Sequence, residues 1–177
     1  IFRHPHVFKG EDANGQHVSG LKPDEVSQLW EQVKLKEKGG NKTVLSGIPD
    51  SLPSLVKAFR IQDKVANVGF DWENKEQVWE KVEEEIRELK EEVSVWEQET
   101  GNCNKERVTE EFGDLMFALV NYSRFIKVNP MDALEVANKK FRKRFNYIED
   151  KAREMGKSLV DMSLDEMNEL WNVSKIK

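Results

Sequence analysis

Apolar residues recur along this chain at intervals of three and four, and no stretch alternates in the manner of a half-buried strand. Val78, Val82, Ile86, Leu89, Val93 and Trp96 define one face of a helix expected over about residues 75 to 100. Val108, Phe112, Leu115, Leu119 and Tyr122 define the core row of a second, over about 105 to 126. Leu134, Ala137, Phe141, Phe145, Ile148 and Ala152 give a third its core row. Local signals set the ends. Asn129 and Pro130 make an N-cap and first-turn pair for the third helix, which Gly156 closes after about Met155. Ser163 with Glu166 spells a capping box for a last helix. Pro53 opens a helix that reaches about Asn67 and is stopped by Gly69, with Leu55, Phe59, Ile61 and Val65 among its apolar positions. Pro23 opens another that runs to about Lys38, where Gly39 and Gly40 end it. The expected fold class is all-α, a helical bundle.

Residues 1–20 are irregular and hold all three histidines, His4, His6 and His17. A His-x-His pair can bind metal, but with no third ligand type nearby a loop is the favoured reading. A segment rich in Gly, Asn and Ser forms a linker over 39–49. Asp24-Glu25-Val26-Ser27-Gln28-Leu29-Trp30 matches Asp165-Glu166-Met167-Asn168-Glu169-Leu170-Trp171, at an offset that also pairs Gly15 with Gly156. One offset serving a glycine, a helix start and a tryptophan favours duplication. On that reading residues 1–38 are the tail of a first repeat whose body lies upstream of Ile1, and 50–177 form a complete second repeat.

Composition narrows the class. The chain has 177 residues, 38% apolar and 34% charged, enough for one core in a soluble helical protein. A net charge of −5 gives no basic field for nucleic acid, so stable nucleic-acid binding is not expected, and no apolar run approaches a membrane span. The single cysteine, Cys103, sits in an apparent turn with Gly101, Asn102 and Asn104, without a disulfide partner or metal-ligand spacing. With no signal peptide, a reducing cytoplasm is the default compartment.

The chemistry lies beside the apolar rows. Glu85 and Glu88 border the row of the first acidic helix, and Glu111 and Asp114 run with Ala118 and Asn121 as a line beside the row of the second. Antiparallel packing of these two helices would bring four carboxylates together with no cationic side chain among them, a state that invites protonation or a cation. Oxygen-only ligands suit Mg²⁺, with Mn²⁺ as a second candidate. Glu83, Glu84, Glu91 and Glu92 read as a solvated face paired with Lys81, Arg87 and Lys90, Glu84 and Glu92 lying nearest the cluster. Lys140 and Arg144 flank the core row of the third helix on one side. A hard cation combined with such basic donors is what a polyphosphate requires. Arg107, one turn before Glu111, could add a further phosphate contact. Lys140 and Arg144 have an alternative reading as residues of the core edge that pair with those same acids. Trp30, Trp79 and Trp96 read as packing or interface residues.

Glu84-Glu85-Ile86-Arg87-Glu88 followed by Glu111-Phe112-Gly113-Asp114 resembles the E-E-x-x-E and E-x-x-D pattern of the MazG family of nucleoside triphosphate pyrophosphohydrolases. Val68-Gly69-Phe70-Asp71-Trp72, the run from Gly113 to Asn121, Ala137-Asn138-Lys139-Lys140-Phe141 and Arg144-Phe145 extend the resemblance over about residues 45 to 177. His4-Pro5-His6-Val7-Phe8 extends it weakly to the start.

The resemblance implies an all-α dimeric enzyme that hydrolyses (deoxy)nucleoside triphosphates to the monophosphate and pyrophosphate, with Mg²⁺ held by Glu85, Glu88, Glu111 and Asp114. It implies phosphate contacts from Lys140 and Arg144, with Arg107 at a position where some members carry lysine. Trp171 and Asn121 are the remaining substrate-binding candidates, Trp171 because a base can stack on such a ring. Two other classes compete. A di-iron carboxylate bundle needs Glu-x-x-His pairs, and no histidine follows His17. A catalytically idle interaction or dimerisation module derived from such an enzyme is the remaining alternative, opposed by the intact acid set.

Overall fold

The computed structural model describes residues 43–98 and 105–176. The helix expected over 24–38, the histidine-bearing segment, the first member of the internal match and the turn at Cys103 lie outside the described residues. From Thr43 the chain runs through turns, with the Ser46 hydroxyl donating to the Thr43 carbonyl. Helix α1 spans Ser54–Ala66, α2 Lys75–Gln98, α3 Lys105–Phe125, α4 Pro130–Glu154 and α5 Leu164–Ser174, with a short 3₁₀ turn at Leu159–Asp161. No strand occurs among the described residues.

Local groups set several of the helix ends. The Asn129 side chain accepts from the Met131 amide at the start of α4, with Pro130 in the first turn, where its missing N–H costs nothing. Gly156 follows that helix at φ +66°, a region where a β-carbon is disfavoured, and Gly69 holds φ +88° beyond α1. The capping box of α5 is complete: the Ser163 hydroxyl accepts from the Glu166 amide, and the Glu166 carboxylate accepts from the Ser163 amide.

The chain divides after Lys127 into two compact units. In the first, α2 and α3 are packed antiparallel: Trp79, near the start of α2, has its ring 4.9 Å from Tyr122 near the end of α3, and Glu92 pairs with Arg107 at the opposite end. Val78 and Val82 are fully buried, while Ile86, Leu89 and Val93 are half-buried. Trp96, expected in that row, is 45% exposed.

The core row expected on α3 departs further from the structure. Phe112 and Leu119 are exposed, at 54% and 44%, whereas Ala118, Val120 and Ser123 are buried. Helix α3 is packed against both α1 and α2, so its buried surface is not one stripe. Ala118 is a small residue that allows close approach on one side, and the larger side chains project outward.

The second unit pairs α4 with α5. Ile148 and Ala152 are buried as expected, but Leu134, Ala137 and Phe141 are exposed. The cause is length. Helix α5 has 11 residues against 25 in α4, so it covers only part of the longer helix. Phe141 stacks on Phe145 and tilts against Trp171, with ring centroids 6.2 and 5.1 Å away.

Candidate functional site

Helix geometry brings the acids of the first unit together. Glu85 and Glu88 lie one turn apart on α2, and antiparallel pairing sets Glu111 of α3 against them. One carboxylate oxygen from each of these three residues falls within 4.8 Å of the others. Glu85 is buried at 5% exposure, Glu111 is half-buried and Glu88 is exposed, so the cluster grades from the helix seam to solvent. Asp114 is exposed and stands outside this closest set, yet it lines the same cavity as Glu85. Its charge also acts on Glu111. Desolvation, followed by Glu88, Glu85, Asp114 and Glu92, pushes the Glu111 carboxyl above its ordinary value.

The expectation of acids without a cation among them is corrected by Lys81. Its ammonium lies 2.7 Å from a Glu84 oxygen and 2.8 Å from a Glu85 oxygen, and hydrogen bonds to both carboxylates raise its pKa. The pairing to Glu84 follows the expected solvated face. The pairing to Glu85 does not, and it supplies the buried carboxylate with a countercharge. Spacing carried the signal, since Lys81 precedes Glu85 by one helical turn.

A cavity of about 580 Å³ adjoins the acids, bounded by α1, the 69–72 turn, α2 and α3. Glu85, Asp114, Lys81, Ala118 and Asn121 line it alongside apolar residues of α1 and the turn. Arg124 of α3 fixes that turn. Its guanidinium donates to both Asp71 oxygens, at 2.8 Å to Oδ2, and also to Asn121 Oδ1 at 3.1 Å. Asn121 is therefore oriented by Arg124 at the cavity wall. Neither the Asp71–Arg124 pair nor Gln62, which is 4% exposed on α1, was foreseen from the sequence. A glutamine between the apolar Ile61 and Val65 was the one available hint.

The remaining candidates lie elsewhere. Arg107 is largely exposed and pairs with Glu92 at 3.5 Å, beside the acid cluster in sequence but engaged with a different carboxylate. Lys140, Arg144 and Trp171 belong to the second unit. There the Arg144 guanidinium lies 5.5 Å from the centre of the Trp171 ring, within cation–π range, and Lys140 is exposed. The described helices carry no segment long and apolar enough to cross a membrane.

Curated proteins resemble the chain over nearly all of its length. It is 39% identical over 176 residues to the nucleoside triphosphate pyrophosphohydrolase/pyrophosphatase MazG of Thermotoga maritima, a match covering 99% of this chain and 61% of that protein. The nucleoside triphosphate pyrophosphohydrolase of Escherichia coli K12 is 37% identical over 175 residues, covering 98% of this chain and 62% of the relative. The uncharacterized protein YabN of Bacillus subtilis is 44% identical over 176 residues, 99% of this chain and 33% of that protein. The chain thus spans about three fifths of the length of the first two relatives. No family model matches it.

Proposed function

We propose that the chain is a member of the MazG family and a nucleoside triphosphate pyrophosphohydrolase, releasing nucleoside monophosphate and pyrophosphate, a reading supported by its likeness to the Thermotoga maritima and Escherichia coli proteins. The observation that carries this reading is the convergence of Glu85, Glu88 and Glu111 within 4.8 Å beside a cavity of nucleotide size.

The donor set fits a hard divalent cation. Three carboxylates supply oxygen alone, and Glu111 is pushed up by desolvation first and then by the neighbouring carboxylates. We assign Glu85, Glu88, Glu111 and Asp114 as the residues that would hold Mg²⁺, with Mn²⁺ as a substitute. When bound, the cation would neutralise polyphosphate charge and make a water acidic enough to attack phosphorus.

The side chains supply the rest. Glu88, exposed, and Glu111, half-buried, would accept a proton from attacking water. Lys81 supplies a countercharge to Glu85 in the seam and offers a donor to a phosphate oxygen. Asn121, oriented by Arg124, offers its amide at the cavity wall. Arg107, in the same unit, is an additional phosphate contact, as the MazG pattern implies. We further propose that the active form is a homodimer. Product analysis tests the reaction. ³¹P spectra of a nucleoside triphosphate incubated with protein and Mg²⁺ should show monophosphate and pyrophosphate in equal amounts, whereas diphosphate with orthophosphate would identify a different hydrolase.

A further inference from the structure

Gln62 is the residue whose chemistry the fold leaves unfinished. It lies on α1 at 4% exposure and lines the cavity that Glu85 and Asp114 also line. Its amide nitrogen donates to the Phe117 carbonyl at 2.8 Å. Its amide oxygen is the one buried side-chain nitrogen or oxygen among the described residues that has no hydrogen-bond partner. The orientation is not arbitrary. The Phe117 carbonyl can only accept, so rotating the amide by half a turn would oppose two oxygens. A desolvated acceptor without a donor costs stability, and a ligand that supplied the donor would recover that cost.

The surroundings define that donor. Ile61, Val65, Phe70, Trp72 and Phe117 make the cavity around Gln62 mainly apolar, with two aromatic rings on or beside the 69–72 turn. The turn is braced by the Arg124 guanidinium on Asp71 and by the Phe70 amide donating to the Val65 carbonyl at 3.0 Å. A flat heterocycle with an N–H at its edge satisfies both the apolar walls and the lone acceptor. A phosphate satisfies neither, since it would present oxygen to oxygen.

We propose that Gln62 reads the nucleobase, its amide oxygen accepting an edge N–H of a base seated in this cavity. This rests on the nucleoside triphosphate reading above and adds a specificity-determining residue to it. Each standard base carries its edge N–H groups at different positions, so one fixed acceptor favours the base whose N–H reaches it.

The test pairs a variant with a substrate analogue. Gln62→Met keeps volume and removes the acceptor, while an analogue of the preferred base with hydrogen in place of its edge amino group, or C–H in place of its ring N–H, removes the donor. The wild type should lose about tenfold in kcat/KM on passing from the preferred nucleotide to the analogue, and Gln62→Met should treat the two alike. Thermal unfolding verifies that the variant is folded. Wild-type protein that ignores the missing N–H, or a folded Gln62→Met with undiminished base preference, overturns the proposal. So does a uniform loss on every ribonucleotide, absent from deoxynucleotides, which would identify a sugar contact. If the wild type hydrolyses no triphosphate, the enzymatic reading fails by itself. Free nucleosides titrated against tryptophan fluorescence then decide the base site: saturable binding lost in Gln62→Met supports it, and no binding overturns it.

Discussion

At the scale of the residue, the acid cluster joins two electrostatic solutions. Glu85 is buried with a lysine in contact, whereas Glu111 carries a carboxyl raised by desolvation and by its acidic neighbours. A carboxyl whose folded pKa is raised binds its proton more tightly in the folded state than in the unfolded one. Ionising it at neutral pH therefore costs stability, and the cost vanishes as pH falls through the raised value. Glu111→Gln should thus melt higher than wild type at neutral pH in chelator, with the difference shrinking as pH approaches the ordinary carboxylate value of 4.5. Differential scanning calorimetry across that range checks the sign, and a difference that grows on acidification would refute it. Mg²⁺ should reverse the order at neutral pH, because the wild type gains a ligand-linked stabilisation that the variant has lost. The acids were legible in the sequence because helical spacing alone aligns Glu85 with Glu88 and Glu111 with Asp114. The contact of Lys81 with Glu85 and the burial of Gln62 were not legible, since whether a polar side chain is buried depends on what packs against it from elsewhere in the chain.

At the scale of the element, helix ends were legible and helix faces were only partly so. Asn129 with Pro130, Gly156, and Ser163 with Glu166 act within a few residues, and each occupies in the structure the role its type dictates. Burial is not local in this sense. Phe112 and Leu119 satisfy the apolar periodicity of α3 and still face outward, because α1 and α2 together decide which sides of that helix are covered. The caps give quantitative expectations. Ser163→Ala removes one half of the capping box and should cost about 1 kcal/mol. Gly156→Ala should also cost about 1 kcal/mol, and for a purely conformational reason: φ is +66°, while no atom lies within 4 Å of the added carbon. Urea titration measures both, and a cost below a few tenths of that for Gly156→Ala would contradict the assignment of its backbone strain.

At the scale of the molecule, two units and a broad apolar surface remain to be accounted for. Trp79, Trp96, Phe112, Met116 and Leu119 of the first unit are each more than two fifths exposed, more apolar area than a pair of solvated helices ordinarily shows. A second copy of the chain is the cover we expect. Sedimentation should therefore show a dimer at assay concentrations, and dilution should lower specific activity as it dissociates. A monomer with full activity would reject that arrangement. The central claim, that the α2 and α3 carboxylates carry metal-dependent hydrolysis of a nucleoside triphosphate, is tested most directly by pyrophosphate release at saturating Mg²⁺ from wild type, Glu88→Gln and Asp114→Asn. The account predicts turnover by the wild type that chelator abolishes, with a loss of at least about a hundredfold in each folded variant. Undiminished wild-type turnover in chelator, or retained activity in both variants, would contradict it.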